Sequence, residues 1–260
     1  MKSIPIYLIN RVIAFFEGVS SYCNLMRDIF RSYKSWNYYI KLSNIHMYQI
    51  GIRSLPIVMV TGLFSGMVLA VQAAYQVDTA TIPGMEWTVA SVVGEAILLE
   101  LAPMITALVM TGKIGATIAA EIGTMRVTEQ IDALESLSFD PVAYLIFPRV
   151  FAGMIMFPIL IAVADFFGLI GGMWVTTNTL DLSAADFMRG LRTWFQPMDY
   201  WFGIIKGFFF GLAITSIACF YGFYTKGGAK GVGETTTTTV VVSCITIVFL
   251  DYILGRIILL

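Results

Sequence analysis

The sequence predicts an all-α integral membrane protein with five transmembrane helices, and three observations support this fold class. Hydrophobic residues make up 58% of the 260 residues and charged residues 13%, so a soluble domain would leave a large apolar surface in water. The stretches 54–77 and 207–225 contain no charged residue, and about 20 such residues can cross a bilayer as a helix. Glycines also recur at the four-residue spacing that is typical of helices packed closely in lipid.

Five apolar segments are predicted to span the membrane within a single domain over 1–260. They lie near 54–77, 87–120, 142–178, 200–225 and 235–258. Every segment after the first contains ionisable residues, among them Glu95, Glu100, Lys113, Asp165, Lys206 and Asp251. Charges at membrane depth are costly and usually face a bundle interior or a cavity, so these residues are candidates for function.

The N-terminal region, 1–53, is predicted to form an amphipathic helix in the membrane interface. Apolar residues recur there at alternating spacings of four and three, at Leu8, Val12, Phe15, Val19, Tyr22 and Met26. One apolar stripe with polar residues elsewhere favours a helix lying on the membrane. A signal peptide is disfavoured because Pro5 and Glu17 interrupt any apolar core and no small-residue cleavage site follows. The alternative is a helix packed on a cytoplasmic domain, and the sequence offers no such domain.

Lysine and arginine residues predict the orientation of the chain. Seven of them precede the first span, and the loop at 78–86 contains none. Three more lie between the middle of the second span and the early part of the third, at Lys113, Arg126 and Arg149, and two precede the fifth, at Lys226 and Lys230. We therefore expect a cytoplasmic N-terminus and a C-terminus on the opposite side.

Glycine spacing predicts close helix packing in three of the spans. The glycines are Gly62 and Gly66, Gly168 and Gly172, and the series Gly203, Gly207 and Gly211. Small faces of this kind let helix backbones approach in lipid. The pattern fits either packing inside one bundle or dimerisation.

The loop at 179–199 is predicted to contain a short outer helix from about 184 to 194. Ser183 and Asp186 fit a capping box, and Leu182 and Phe187 fit a hydrophobic staple. Such a helix would rim a pore, meet an external partner or serve as a connector, and the sequence does not decide among these.

Residues 100–141 join a membrane helix to a charged amphipathic segment. Pro103 has no N–H for the carbonyl of Leu99, so the second span should kink beside Glu100, which lies near mid-membrane. Asp140 and Pro141 are the expected N-cap and first-turn proline of the third span.

A short helix is predicted between the second and third spans, at 124–138. Its apolar stripe is Val127, Ile131 and Leu134, and its charged residues Glu129, Asp132 and Glu135 project elsewhere. Membrane helices run directly into it at both ends, which favours transmission of force over the alternative of a passive loop helix.

Several motifs in this region resemble those of one family. They are ELAP at 100–103, GKIG at 112–115, AEIGTM at 120–125 and TEQIDAL at 128–134, followed by GVG at 231–233 and TTT at 235–237. Together they resemble the permease subunit of Mla-type (MlaE/YrbE) ABC transporters, which move phospholipids or other lipids between Gram-negative membranes.

The resemblance implies a homodimer in the bacterial inner membrane with a lipid cavity between its two copies. It implies a cytoplasmic ATPase, with ATP and Mg in that partner, docked on the helix at 124–138. An MCE-domain protein is expected on the periplasmic face, and a STAS-domain protein is a further candidate partner. Glu100 and Lys206 match charged positions of the family near the cavity.

The residues themselves predict a subunit without its own motor or metal. Gly112-Lys113 is not a P-loop, because Ala107 stands where a glycine is required and Ile114 where Ser or Thr is required. His46 is the only histidine and no ligand cluster accompanies it, so no cofactor is expected in this chain. Neither an enzyme nor a nucleic-acid-binding protein is indicated.

Glu100 and Lys206 are expected to lie near each other or near lipid headgroups, and a purely structural ion pair is the alternative. Glu95 lies five residues before Glu100, about 140° around the helix, so the two carboxylates cannot share one face. A rival function is an ion-coupled carrier using Glu100, Asp165 and Lys206, and another is a membrane scaffold. Carriers often contain inverted repeats, and none is visible here.

Overall fold

A computed structural model describes residues 6–31, 36–79, 87–179 and 183–259, and helices are the only regular elements within those ranges. The α-helices are α1 (Ile6–Arg31), α2 (Trp36–Ile50), α3 (Leu55–Thr79), α4 (Trp87–Ala96), α5 (Ala102–Met110), α6 (Ala116–Val127), α7 (Gln130–Ser136), α8 (Phe147–Thr179), α9 (Ala184–Trp194), α10 (Pro197–Phe223) and α11 (Gly228–Leu259). Three π-helical turns, Ile97–Leu101, Thr111–Gly115 and Val142–Ile146, interrupt or precede them.

The described residues contain five helical segments long and apolar enough to cross a membrane, as predicted. They are Tyr39–Gln76, Thr88–Val127, Val142–Asn178, Pro197–Phe223 and Gly228–Leu259. The first is longer than expected because α2 continues through a 3-10 turn, Ile52–Ser54, into α3. The second joins α4, α5 and α6 through two π turns. The chain is therefore a multi-pass, all-α membrane protein.

The second half of α1 packs on the bundle. The Tyr22 hydroxyl lies 2.7 Å from Oγ of Ser216 in α10, and Leu25 and Ile29 are buried. Burial raises the pKa of Tyr22, so this group stays a neutral hydrogen-bonding hydroxyl. The predicted stripe is thus only partly the buried face, since Val19 is exposed. The side chains of Leu8, Val12 and Phe15 lie outside the described residues.

The glycine series pack helices within the chain. A Cβ on Gly62 would lie 2.8 Å from the Ala164 carbonyl oxygen, and one on Gly66 would collide with the backbone of Gly168, so α3 lies directly against α8. The α10 series, Gly203, Gly207 and Gly211, meets the backbone of Leu98, Pro158 and Gly153 respectively. Between packing and dimerisation, these contacts assign the glycines to packing inside one bundle.

The helix predicted at 124–138 is shorter than expected. Helix α6 continues to Val127, Glu129 adopts a left-handed conformation with φ 60°, and α7 occupies only Gln130–Ser136. The predicted cap of the third span is confirmed, because Oδ1 of Asp140 accepts from the N–H of Val142 at 3.0 Å. Helix α7 follows the second span and α9 follows the third, so these two short helices lie at opposite ends of the bundle.

The short helix predicted at about 184–194 is confirmed as α9, Ala184–Trp194. Oγ of Ser183 accepts from the N–H of Asp186 at 3.1 Å, and its hydroxyl lies 2.6 Å from the Asp186 carboxylate. Leu182, the other half of the proposed staple, lies outside the described residues. The Ser91 hydroxyl donates to the Gly190 carbonyl at 2.6 Å, so α9 packs down on α4.

Candidate functional site in the membrane bundle

Lys206 of α10 lies at the meeting point of three membrane helices. Its side chain is 1% exposed, and Nζ lies 2.6 Å from Oε2 of Glu100 and 2.7 Å from Oδ1 of Asp251. The ammonium also donates to the Leu99 carbonyl oxygen at 2.8 Å. A buried ammonium requires such partners because an unpaired charge at this depth is very costly. The predicted proximity of Glu100 and Lys206 is confirmed, and their role in transport stays a prediction.

The local backbone explains how the Leu99 carbonyl becomes available. Pro103, four residues later, has no N–H to donate to it. The structure accommodates this proline with the π turn Ile97–Leu101, which contains Glu100 itself. The disturbance predicted beside Glu100 therefore takes the form of a π turn, a feature frequent at functional sites.

The two carboxylates in this cluster differ in exposure. The Asp251 side chain is 10% exposed and the Glu100 side chain 52%. The Phe202 ring covers another side of the ammonium, with its centroid 4.5 Å from Nζ. Glu100 therefore presents its carboxyl group on an open side of the cluster.

The cluster lies close to the middle of the membrane, on the α9 side. Lys206 is nine residues after Pro197, where α10 begins, and Asp251 is eight residues before Leu259, where α11 ends. These offsets correspond to roughly 12–14 Å along a helix, within a hydrocarbon layer about 30 Å thick. These offsets agree with the mid-membrane position expected for Glu100.

Two other membrane charges differ in their relation to the Lys206 cluster, since Glu95 lies outside it and Asp251 belongs to it. Glu95, on α4, is half-buried outside the cluster, as its angular offset predicts. Asp251 is a member of the cluster that the sequence does not single out from the other membrane charges. A signal was present, because it is the only acidic residue in the long apolar stretch of α11 between 235 and 255.

A known family matches most of the chain. The family model for the permease MlaE matches residues 44–257. The chain belongs to the MlaE permease family. A probable ABC transporter permease protein of Rickettsia conorii is 41% identical over 216 residues, which cover 83% of this chain and 82% of the relative.

Two further relatives of this MlaE-family chain come from other lineages. A probable ABC transporter permease protein of Synechocystis is 39% identical, over 80% of this chain and 78% of the relative. Protein TRIGALACTOSYLDIACYLGLYCEROL 1, a chloroplastic protein of Arabidopsis thaliana, is 36% identical, over 79% of this chain and 58% of the relative. The matched family region contains the whole Lys206 cluster and α7.

Asp165 of this MlaE-family permease is buried without joining the cluster. It is 3% exposed, and neither carboxylate oxygen has a hydrogen-bond partner within the described ranges. It lines a cavity of about 370 Å³ together with Arg192, Phe195 and Tyr200 from the α9 end. The grouping of Glu100, Asp165 and Lys206 expected for an ion-coupled carrier is therefore incomplete, since Lys206 pairs with Asp251.

The apolar stripe of α7 faces its own bundle. Ile131 is fully buried, and Leu134 packs against the core. Val127 is half-buried at the end of α6. The exposed side presents acidic residues, Glu129, Asp132 and Glu135. Leu137 and Phe139 just beyond them are also exposed, so a partner approaching this end of the MlaE-family bundle would meet acidic residues and two apolar side chains.

Proposed function

We propose that the chain is the membrane subunit of an ABC transporter that moves phospholipid or a related lipid between the inner membrane and periplasmic carriers. It works as a homodimer with the lipid cavity between its copies. The observation that carries this proposal is the position of Glu100, which is half exposed at membrane depth while its partner Lys206 is buried. A carboxylate open on one side at this depth must face a cavity or another protein, because facing acyl chains would be costly.

The chemistry beside Glu100 suits an amphipathic substrate. Helix α11 carries Asp251 on its buried face, and its opposite side is a stripe of exposed apolar residues, which are Val241, Ile245, Val248, Phe249 and Tyr252. The open carboxyl group of Glu100 matches a lipid headgroup, and the apolar stripe matches its acyl chains. The name of the plant relative is that of a galactolipid, which also supports a lipid cargo.

The stripe on α11 also supports the second copy. A helix this exposed along its length in one protomer needs lipid or protein against it, and a symmetric dimer would place two such helices beside one cavity. The half-exposed Glu100 would then face the same space from each copy.

Energy for transport is assigned to a separate ATPase on the α7 side, which binds ATP and Mg. The curated relatives named as ABC transporter permeases support this partner. The α7 side is cytoplasmic in this proposal, which places the N-terminus in the cytoplasm and the C-terminus in the periplasm of a bacterial inner membrane. An MCE-domain protein would meet the α9 side, and a STAS-domain protein would bind the ATPase.

Co-purification tests the proposal. The tagged chain, extracted in mild detergent from its native host, should retain an ATPase subunit and phospholipid. Leu137→Asp should release the ATPase because it places a charge in the apolar part of the exposed α7 surface. Ser183→Ala, at the opposite end of the bundle, is the control and should leave the ATPase bound.

The buried Asp165 favours one rival function, an ion-coupled carrier, because a carboxylate without a partner within the described ranges suits a proton site. Proteoliposomes containing this chain alone discriminate the two functions. Substrate uptake driven by a proton gradient, with no ATPase present, would replace the ABC proposal with the carrier. Absence of such uptake, together with ATP-dependent lipid movement in the complex, would support the ABC proposal.

A further inference from the structure

A second polar site lies at the α7 end of the bundle, separate from the Lys206 cluster. It is a cavity of about 210 Å³ between the end of α2, the second span and the start of α8. Three cations line it, Arg53, Lys113 and Arg149, against one carboxylate, Glu121. With His46 neutral, the lining carries a formal charge of +2.

Arg149 is the most deeply buried of the three cations. The residue is 5% exposed. One of its terminal nitrogens donates to the Leu145 carbonyl oxygen at 2.7 Å, and the other lies 3.3 Å from Oε2 of Glu121. Its Nε is buried and has no hydrogen-bond partner within the described ranges. A buried guanidinium paired with one carboxylate adds positive charge beside the cavity, and an anion in the cavity would offset that charge.

The other two cations, Lys113 and Arg53, have N–H donors left to bind a ligand. Lys113 uses one ammonium hydrogen on the Arg53 carbonyl oxygen, at 2.5 Å, and an ammonium has three. The Arg53 guanidinium lies over the Tyr48 ring, 5.6 Å from its centroid. Neither cation forms an ion pair with a carboxylate among the residues that the structure describes. Two cations with unused donors beside a third positive charge are the chemistry that recognises a phosphate.

The backbone fixes these groups in place. Lys113 belongs to the π turn Thr111–Gly115. Arg53 lies in the 3-10 turn after Gly51, where a Cβ would collide with the Met156 side chain. Glu121 and Arg149 each lie about two turns from the α7 end of their helices, at the depth of the headgroups on that side.

We infer that this cavity binds the phosphate of an anionic phospholipid from the leaflet on the α7 side. A lipid is favoured over a soluble phosphate because Ile50, Ile114 and Ile118 line the same cavity beside the cations. Such a wall suits the glycerol and first acyl carbons of a lipid, whereas a free phosphate gains nothing from it. The inference takes its ligand class from the proposed lipid function.

Native mass spectrometry of the full-length chain in detergent, titrated with dioleoyl phosphatidylglycerol, tests the site. The double variant Arg53→Gln/Lys113→Gln should weaken phosphatidylglycerol binding about tenfold or more, since each lost charge removes a charge-assisted contact. Lys226→Gln/Lys230→Gln removes two exposed charges from the same end of the bundle and should leave the affinity unchanged. Phosphatidylcholine should bind wild type and double variant alike, and millimolar inorganic phosphate should not displace phosphatidylglycerol.

Three results would overturn the inference. They are an unchanged affinity in the folded double variant, an equal loss in the control, and displacement of lipid by inorganic phosphate, which would assign the site to a soluble anion. If the double variant does not fold, Arg53→Gln alone replaces it, because Arg53 is exposed. The assay needs neither ATP nor a partner. Failure of lipid movement in the complex with intact phosphatidylglycerol binding would therefore count against the proposed transport and leave this site standing.

Discussion

Lys206 donates a hydrogen bond to the carbonyl oxygen of Leu99, the backbone acceptor that Pro103 cannot serve. The proline, the π turn around Glu100 and the buried lysine are therefore parts of one arrangement. The helix gives up a regular backbone bond, and the ammonium of another helix takes the acceptor at 2.8 Å. The same nitrogen also holds Glu100 and Asp251.

Replacing Lys206 should destabilise the bundle. In Lys206→Met the buried Asp251 and the Leu99 carbonyl lose their partner, and breaking a buried pair in this way costs about 3–5 kcal/mol. Pro103→Ala should recover part of the loss in the double variant because it restores an N–H near the Leu99 carbonyl. Thermal unfolding in detergent measures both effects. Equal melting temperatures for wild type and Lys206→Met would show that the lysine is not a structural centre.

Substitutions at Glu100 and Asp251 should have different effects, with transport affected mainly at Glu100 and stability mainly at Asp251. Asp251→Asn weakens a nearly buried ion pair and should cost about 1.5–3 kcal/mol. Glu100→Gln should cost about 1 kcal/mol or less, because its side chain is half exposed and the pair is screened. Lipid movement should instead be lost in Glu100→Gln, whose charge faces the proposed cavity. The ratio of transport rate to folded fraction, measured for both variants, decides, and an unaffected rate in Glu100→Gln would make its charge purely structural.

The glycine contacts predict that Gly→Ala substitutions at two membrane-helix positions change the stability very differently. Gly66→Ala should destabilise the protein by about 1–3 kcal/mol, because the new Cβ collides with the backbone of Gly168 and neither helix can yield locally. Gly112→Ala is the matched control, since nothing lies within 4 Å of its Cβ position, and it should be neutral or stabilising by helix propensity. Melting temperatures of the two variants test this. A loss of stability in Gly112→Ala alone would reverse the assignment and place the closest contact elsewhere.

Asp165→Asn should raise the melting temperature. Both oxygens of Asp165 lack partners within the described ranges, so the amide removes a buried group whose charged form is costly and retains its shape. Asp251→Asn, in the same membrane environment but with an ion-pair partner, should lower the melting temperature. A drop in both variants would indicate that Asp165 has an essential partner, such as a bound cation or a neighbouring subunit.

The two faces of α7 should respond differently to substitution. Ile131→Asp places a charge in the core and should unfold the region, whereas Glu135→Lys changes only an exposed residue and should leave stability unchanged. Weaker ATPase retention with intact stability is expected for Glu135→Lys. Retention is measured by co-purification and stability by thermal unfolding. Full retention in both Glu135→Lys and Leu137→Asp would exclude this surface as the docking site.

Local patterns in the sequence predicted more of the fold than of the site. The cap at Ser183 and the N-cap at Asp140 depend on residues three or fewer apart, and both were predicted correctly. The inward direction of Ile131 was not, because an amphipathic stripe does not reveal whether its apolar side meets a partner or its own bundle. The direction of the stripe depends on how the chain turns between the end of α6 at Val127 and the start of α7.

The sequence also does not predict long-range contacts between helices whose residues are mostly apolar. In α11 most residues are apolar, so periodicity does not fix which face turns inward, and the place of Asp251 beside Lys206 depends on helix rotation. The meeting of Arg53, Lys113 and Arg149 likewise joins three distant segments. The contact of Glu100 with Lys206 was expected only because family resemblance placed both near one cavity.

ATP-dependent movement of phospholipid out of proteoliposomes containing the chain with its co-purified ATPase tests the central claim most directly. Transfer of a fluorescent phospholipid to an acceptor should require ATP and should slow about tenfold or more in Glu100→Gln while the complex stays assembled. Transfer that proceeds equally without ATP, or a complex that hydrolyses ATP and moves no lipid, would contradict the account.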